Sequence, residues 1–222
     1  QLVDDSSKVY SVGNLKFDVE KGRMGSEELE SLKDELGLKR GELVILIASS
    51  HEGEEKLLVE ALEGVKGRIL IAPRHPERFQ EAYESVAGDV EWYGERLGKR
   101  VILVNQMGIM DRCYQLSDVV IMGGSFTGKV GGHNILEPIE FGKFTLFGPH
   151  MYSQVEMEGE VLKEKAAFQV ELEQVADLIG KYLSSERLQR EMGVNMERLL
   201  ERVKGALRRM VEVIESQLKE SV

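Results

Sequence analysis

The chain has 222 residues, 42% hydrophobic and 31% charged, with a net charge of −10 at neutral pH. That balance suits an ordinary globular protein. It excludes a surface built for sequence-independent nucleic-acid binding, though not a local basic pocket. Cys113 is the only cysteine, so no internal disulfide forms and a reducing compartment is expected. No apolar run reaches the roughly 18 residues that a bilayer-spanning helix needs, and no secretory signal is recognisable. The first residue is Gln1, and we read the chain as a piece of a longer protein.

Residues 9–18 read as a short strand ending in a turn at Gly13-Asn14, with Lys16 beside it as a surface charge or an anion contact, of which sequence alone favours the first. Residues 26–36 have the spacing of an amphipathic helix. Ser26 is its expected N-cap, Leu29, Leu32 and Leu36 its apolar face, and Gly37 its C-cap. Apolar runs at 43–48, 69–72, 101–104, 119–122 and 144–147 read as buried strands, with helical segments between them to about residues 65, 87, 116 and 141. Beyond Met151 the spacing predicts a helix over 152–163, a short strand over 167–170 and a helix over 175–183. From Glu186 one apolar stripe steps by three or four through Leu188, Met192, Met196, Leu199, Val203, Leu207, Met210 and Ile214. It predicts a long C-terminal helix, packed on its own sheet in the favoured reading and docked on a partner in the alternative.

Repeated β–α alternation with buried-type strands predicts an α/β fold, a Rossmann-like parallel sheet with helices on both faces. Ligands of such sheets sit at the carboxyl ends of the strands. Those ends carry Ser49-Ser50-His51, Arg74-His75, Gln106-Met107-Gly108, the loop from Gly123 and Gly148-Pro149-His150. Three of the four histidines, His51, His75 and His133, fall on this edge.

The loop Gly123-Gly124-Ser125 through Gly131-Gly132-His133 runs from a strand into a helix, with Asn134 as the expected N-cap. A strand, a glycine-rich loop and a helix start together suit an anionic group, because the backbone approaches closely and presents free N–H groups and a dipole. The spacing fits neither the P-loop nor the dinucleotide fingerprint. Arg74 is the first choice for a phosphate contact: Pro73 fixes the chain before it, and a guanidinium meets phosphate bidentately. A salt bridge to Glu77 or Glu81 is the structural alternative for it. Glu137 suits either an ordinary cap contact or acceptance from the two hydroxyls of a ribose, and His133 taken alone reads as a structural histidine. No Cys/His cluster has zinc spacing, no Asp-x-Asp pair is present, and no Gly-x-Ser-x-Gly elbow appears, so neither a metal nor a cofactor is expected.

These residues carry a resemblance. Gly123-Gly124-Ser125, followed by Gly131-Gly132-His133-Asn134-Ile135-Leu136-Glu137-Pro138 and Gly142-Lys143, resembles the signature of the 3-deoxy-D-manno-octulosonic acid (Kdo) transferases. The same family pattern appears in Gly13-Asn14-Leu15-Lys16-Phe17-Asp18, Ala48-Ser49-Ser50-His51-Glu52-Gly53-Glu54-Glu55, Pro73-Arg74-His75-Pro76-Glu77-Arg78-Phe79 and Leu146-Phe147-Gly148-Pro149-His150. The chain departs at Ser50, where threonine is common, and at the variable Phe126-Thr127-Gly128-Lys129.

The resemblance implies the C-terminal half of a GT-B glycosyltransferase, with residues 1–222 as one donor-binding domain and the N-terminal acceptor domain absent. It implies transfer of Kdo from CMP-Kdo to a lipid A precursor in lipopolysaccharide assembly, inverting and metal-independent. Donor contacts are implied at Pro73, Arg74, Met107, Gly108, Ile109, Asn134, Ile135, Leu136 and Glu137. Further contacts are expected at Ser49, Ser50, His51, Gly124, Ser125 and His133. Lys16 matches a family lysine that steadies charge in the transition state. The general base, a glutamate, belongs to the other half, so this piece is expected to bind CMP and transfer nothing. The full-length enzyme is expected on the cytoplasmic face of the bacterial inner membrane, against the membrane surface, and this piece is expected to be soluble. The rival readings are another GT-B nucleotide-sugar enzyme, such as an epimerase, and a non-catalytic nucleotide-binding module.

Overall fold

The computed structural model describes residues 9–10, 21–86 and 88–220. The strand expected over 9–18, and Lys16 with it, falls almost wholly outside them. Seven strands form one parallel sheet: β1 (Val44–Ser50), β2 (Arg68–Pro73), β3 (Val90–Trp92), β4 (Val101–Leu103), β5 (Val119–Met122), β6 (Phe144–Phe147) and β7 (Phe168–Gln169), in the spatial order β3-β4-β2-β1-β5-β6-β7. All seven residues of β1 are buried, as are all of β2, β4, β5 and β6. Continuous apolar runs, not alternating ones, are what a sheet covered on both faces requires. The cover comes from α1 (Ser26–Glu35), α2 (Glu54–Ala61), α3 (Phe79–Ser85), α4 (Met110–Leu116), α5 (Leu136–Glu140), α6 (Val155–Glu164), α7 (Val175–Ser184) and α8 (Glu186–Val203).

From β1 the chain builds outward on one side through β2, then returns to lay β5 on the other side. The gap between the carboxyl ends of β1 and β5 is therefore the topological switch point, where open α/β sheets leave a crevice.

Strand β3 was not expected. Its middle residue is Glu91, which is 1% exposed and accepts from Arg68 Nη2 at 2.5 Å and from the Leu97 amide. A charge in the middle of three residues hides a strand from any apolar pattern. The C-terminal helix is present, but left-handed Gly205 (φ +81°) divides it into α8 and α9 (Ala206–Glu220). Helix α8 packs as expected, burying Met192, Met196 and Leu199. On α9 the stripe stays exposed at Leu207 and Ile214 and is half-buried at Met210, and Val211 and Leu218 are exposed as well. Among the described residues no helix is long and apolar enough to cross a membrane.

Candidate functional site

The switch point is built by β1, β2, β5 and the loops that follow them. At the end of β1, Ser49 adopts a left-handed backbone (φ +54°) and the pairing with β2 slips, so Ser50 and not Ser49 lies opposite Pro73. Non-glycine residues in this region carry strain and gather at functional sites. The slip lets the Arg74 amide donate to the Ser50 carbonyl at 3.1 Å, which tethers Arg74 beside the crevice. On the other side the Gly123 amide donates to the Ala48 carbonyl at 2.7 Å, carrying the sheet ladder into the glycine loop.

Two buried carboxylates at the start of α2 hold these pieces together. Glu54 is fully buried and accepts from three backbone amides: Gly124 at 2.6 Å, Phe126 at 3.0 Å and His51 at 3.0 Å. Burial pushes its carboxyl up from the ordinary range, and the three amides oppose that shift. This corrects the expectation that the glycine loop offers its N–H groups to a ligand at Gly124 and Phe126, where the chain's own carboxylate already occupies them. Glu55, also fully buried, accepts from Ser50 Oγ at 2.9 Å and from Arg78 at 2.7 Å, and Arg78 also meets Glu81 at 3.2 Å. The ion pair weighed for Arg74 thus belongs to Arg78. Arg74 is exposed and has no ion pair among the described residues.

Between the two strand ends the imidazoles of His51 and His133 face each other, Nε2 to Nε2 at 2.8 Å, with rings 5.0 Å apart and 14° from parallel. His75 meets His51 edge-on at 5.6 Å. Gly124 makes the packing feasible: its φ is +70°, and a Cβ there would lie 2.9 Å from His133 Cδ2. Burial first, then the neighbouring charge of His51, Arg74 and His75, drives His133 down to about 4. His51 is lowered by burial, then by His75 and Arg78, with Glu55 opposing and Arg74 adding to the fall. His133 is therefore one half of a pair and not an isolated structural histidine.

The folded-state values are depressed, so the unfolded chain binds the extra proton first. Stability from these rings is complete above the ordinary histidine value and is lost as pH falls from about 6.5 towards 4. His133→Asn should flatten the loss across that window by at most about 1.4 kcal/mol per pH unit. Denaturant unfolding at several pH values reads the difference; identical slopes would contradict it.

On the far side of the loop, Asn134 Oδ1 accepts from the Leu136 amide at 3.1 Å, but the N-cap position of α5 is Ile135, so Asn134 stands one residue earlier than expected. That helix has only five residues, so its dipole is small. Glu137 is held at both oxygens: Asn134 Nδ2 donates to Oε1 at 3.3 Å and Tyr114 Oη to Oε2 at 3.1 Å. Tyr114 lies on α4, whose amino end follows Met107, Gly108 and Ile109, so one helix links that loop to Glu137. Burial, then the Glu137 charge, pushes the Tyr114 phenol well up, which keeps it a donor. Nothing in the spacing of 110–116 singled out Tyr114.

Met107 is 59% exposed beside left-handed Gly108. Several expected contacts instead face inward. Ser50 and Ser125 are fully buried, and Ser125 Oγ bridges the Met122 carbonyl and the Gly148 amide at 2.6 and 2.8 Å. Ile135 and Leu136 are core, and Pro73 is buried at the end of β2. Their side chains form the wall behind the crevice. Among the described residues no group of three or more His, Cys, Asp or Glu is arranged to hold a metal. A tetrahedral zinc would also set two imidazole nitrogens roughly 3.3 Å apart, farther than His51 and His133 stand.

No family model matches the chain. It is 32% identical over 176 residues to the 3-deoxy-D-manno-octulosonic acid transferase of Rickettsia bellii, covering 74% of this chain and 41% of that protein. Against the transferase of the same name from Aquifex aeolicus it is 31% identical over 217 residues, covering 90% and 57%. Its fold superposes with a TM-score of 0.72 on the crystal structure of the C-terminal CMP-Kdo binding domain of WaaA from Acinetobacter baumannii. That match is 28% identical and covers 78% of this chain and 96% of that one. The chain thus spans about half or less of the length of the curated relatives it matches, and its sheet is a GT-B glycosyltransferase-like fold.

Proposed function

We propose that this chain, which belongs to the 3-deoxy-D-manno-octulosonic acid transferase family, binds the CMP-Kdo donor at the carboxyl edge of its sheet, and that residues 1–222 form one donor-binding domain of a larger enzyme. The observation that carries this reading is Arg74, whose backbone is tethered at the switch point and whose exposed guanidinium has no ion pair among the described residues, while Arg78 beside it is consumed by Glu55. An exposed fork at a crevice suits a phosphate. Glu137 supports the same reading from the other side. Tyr114 and Asn134 each occupy one oxygen and leave lone pairs free, which suits a vicinal diol such as a ribose.

In this reading the bond between Kdo C2 and the phosphate oxygen breaks, and its electron pair leaves with CMP. Arg74 stabilises the charge that develops there, with no metal involved. Lys16 adds a second positive charge. The base that deprotonates the acceptor hydroxyl, the lipid A precursor that carries it and the inner-membrane surface that presents it belong to parts beyond this chain. Kdo is transferred with inversion, and this piece alone transfers nothing.

Calorimetric titration tests the site. CMP should bind the 222-residue chain, and Glu137→Gln should weaken that binding by about tenfold, the worth of one charged hydrogen bond. No heat with millimolar CMP, or tighter binding of UDP than of CMP, would overturn the proposal.

A further inference from the structure

Two ring nitrogens 2.8 Å apart need one proton between them, with one Nε2 donating and the other accepting. The accepting ring then carries its own proton on Nδ1, and the donating ring has a free lone pair on Nδ1. Neither Nδ1 is hydrogen-bonded within the described protein. The pair can therefore take one proton, on that free Nδ1, and go from neutral to +1 with its shared hydrogen bond intact. A second proton would have to enter the shared contact and force the rings apart.

We propose that His51 and His133 act as a one-proton store for the phosphate group: a phosphomonoester dianion arriving at the switch point draws one proton from solvent onto the pair. The proposal rests on the reading of this edge as a nucleotide-phosphate site and specifies what two of its residues do.

The surroundings set the direction. From the end of β2 the pair faces Arg74, His75 and Arg78, all positive or able to become so. From α2 it faces Glu55, which is already paired with Arg78, and the Glu54 carboxylate, which is turned to the His51 amide. From the glycine loop it meets the backbone of Gly124. Burial first, and then this excess of positive neighbours, keeps the rings neutral in the absence of a ligand. An anion cancels that excess, and the rings then accept a proton.

A sugar-linked phosphate carries one negative charge. The released monoester carries up to two, with its second ionisation near pH 6. The pair is thus neutral beside the donor and charges as the leaving group forms. It follows the charge that develops in the reaction, and Arg74 supplies a constant charge next to it.

Imidazole 15N NMR of the intact chain reads the tautomer and charge of each ring directly. Free protein should show two neutral, complementary tautomers at pH 6.5. Saturating CMP should raise the apparent midpoint of the pair by at least about 1 pH unit, a tenfold change in proton affinity. Inorganic phosphate alone should do the same, and separates recognition of the phosphate from recognition of the nucleoside. CMP that binds and leaves the midpoint of the pair unchanged would overturn the proton store and leave the donor reading intact. A shift with phosphate but no binding of CMP would support the store and remove the nucleotide reading. No shift with either ligand, or a shift confined to His75, would overturn the store. In His133→Asn, His51 should titrate closer to the ordinary histidine range without ligand; a variant in which His51 stays depressed would show that the two rings are not coupled.

Discussion

Glu54→Ala should lower the unfolding free energy by about 2–4 kcal/mol, among the largest single-site losses expected in this chain. The three amides it satisfies would be left unpaired, the buried Gly124 amide at roughly 1–3 kcal/mol and the part-buried Phe126 and His51 amides at less. Removing a buried carboxylate returns part of that sum, because burial already works against its charge. The loss exceeds the gain, since three donors depend on one side chain. Glu54→Gln should fall between the two, keeping an acceptor oxygen while turning an NH2 group towards an amide N–H. Denaturant unfolding gives the magnitude, and hydrogen exchange gives the place: the Gly124, Phe126 and His51 amides should lose protection together. A loss below about 1 kcal/mol would mean that those amides find other partners.

Glu54 also marks the boundary of what the amino-acid sequence discloses. The run Glu52-Gly53-Glu54-Glu55 looks like a solvated acidic turn, yet Glu54 and Glu55 are fully buried. Nothing local distinguishes them from Glu52, which stays exposed against Lys129. Their burial follows from the three chain segments that converge on them, and it is visible only once the sheet order is known. The strands and the crowded edge were legible because burial on both faces demands unbroken apolar runs, and because polar groups can only stand at the ends of such runs. For the same reason Glu91 concealed β3. Tyr114 was hidden differently: its apolar ring fits the buried face of α4, and only its hydroxyl reaches Glu137. The long helix was read through Gly205 because the three-to-four spacing of apolar residues continues across it, while the left-handed glycine turns the chain.

Arg74→Ala should weaken CMP binding by tens- to a hundredfold, about 2–3 kcal/mol, and leave the unfolding midpoint where it was. The two halves of that expectation come from one feature. An exposed guanidinium with no ion pair among the described residues supports nothing in the empty protein, so its removal costs the fold little. The same freedom lets it commit both edges of its fork to a phosphate. Arg74→Lys should keep the charge, lose the bidentate geometry and fall between wild type and alanine. A third readout ties Arg74 to the imidazole pair. Its charge helps to depress both His51 and His133, so in Arg74→Ala both rings should titrate at higher pH than in the wild type. Unchanged CMP affinity would remove Arg74 from the site. Lost affinity with unchanged ring titrations would place its guanidinium away from the pair, and the phosphate with it.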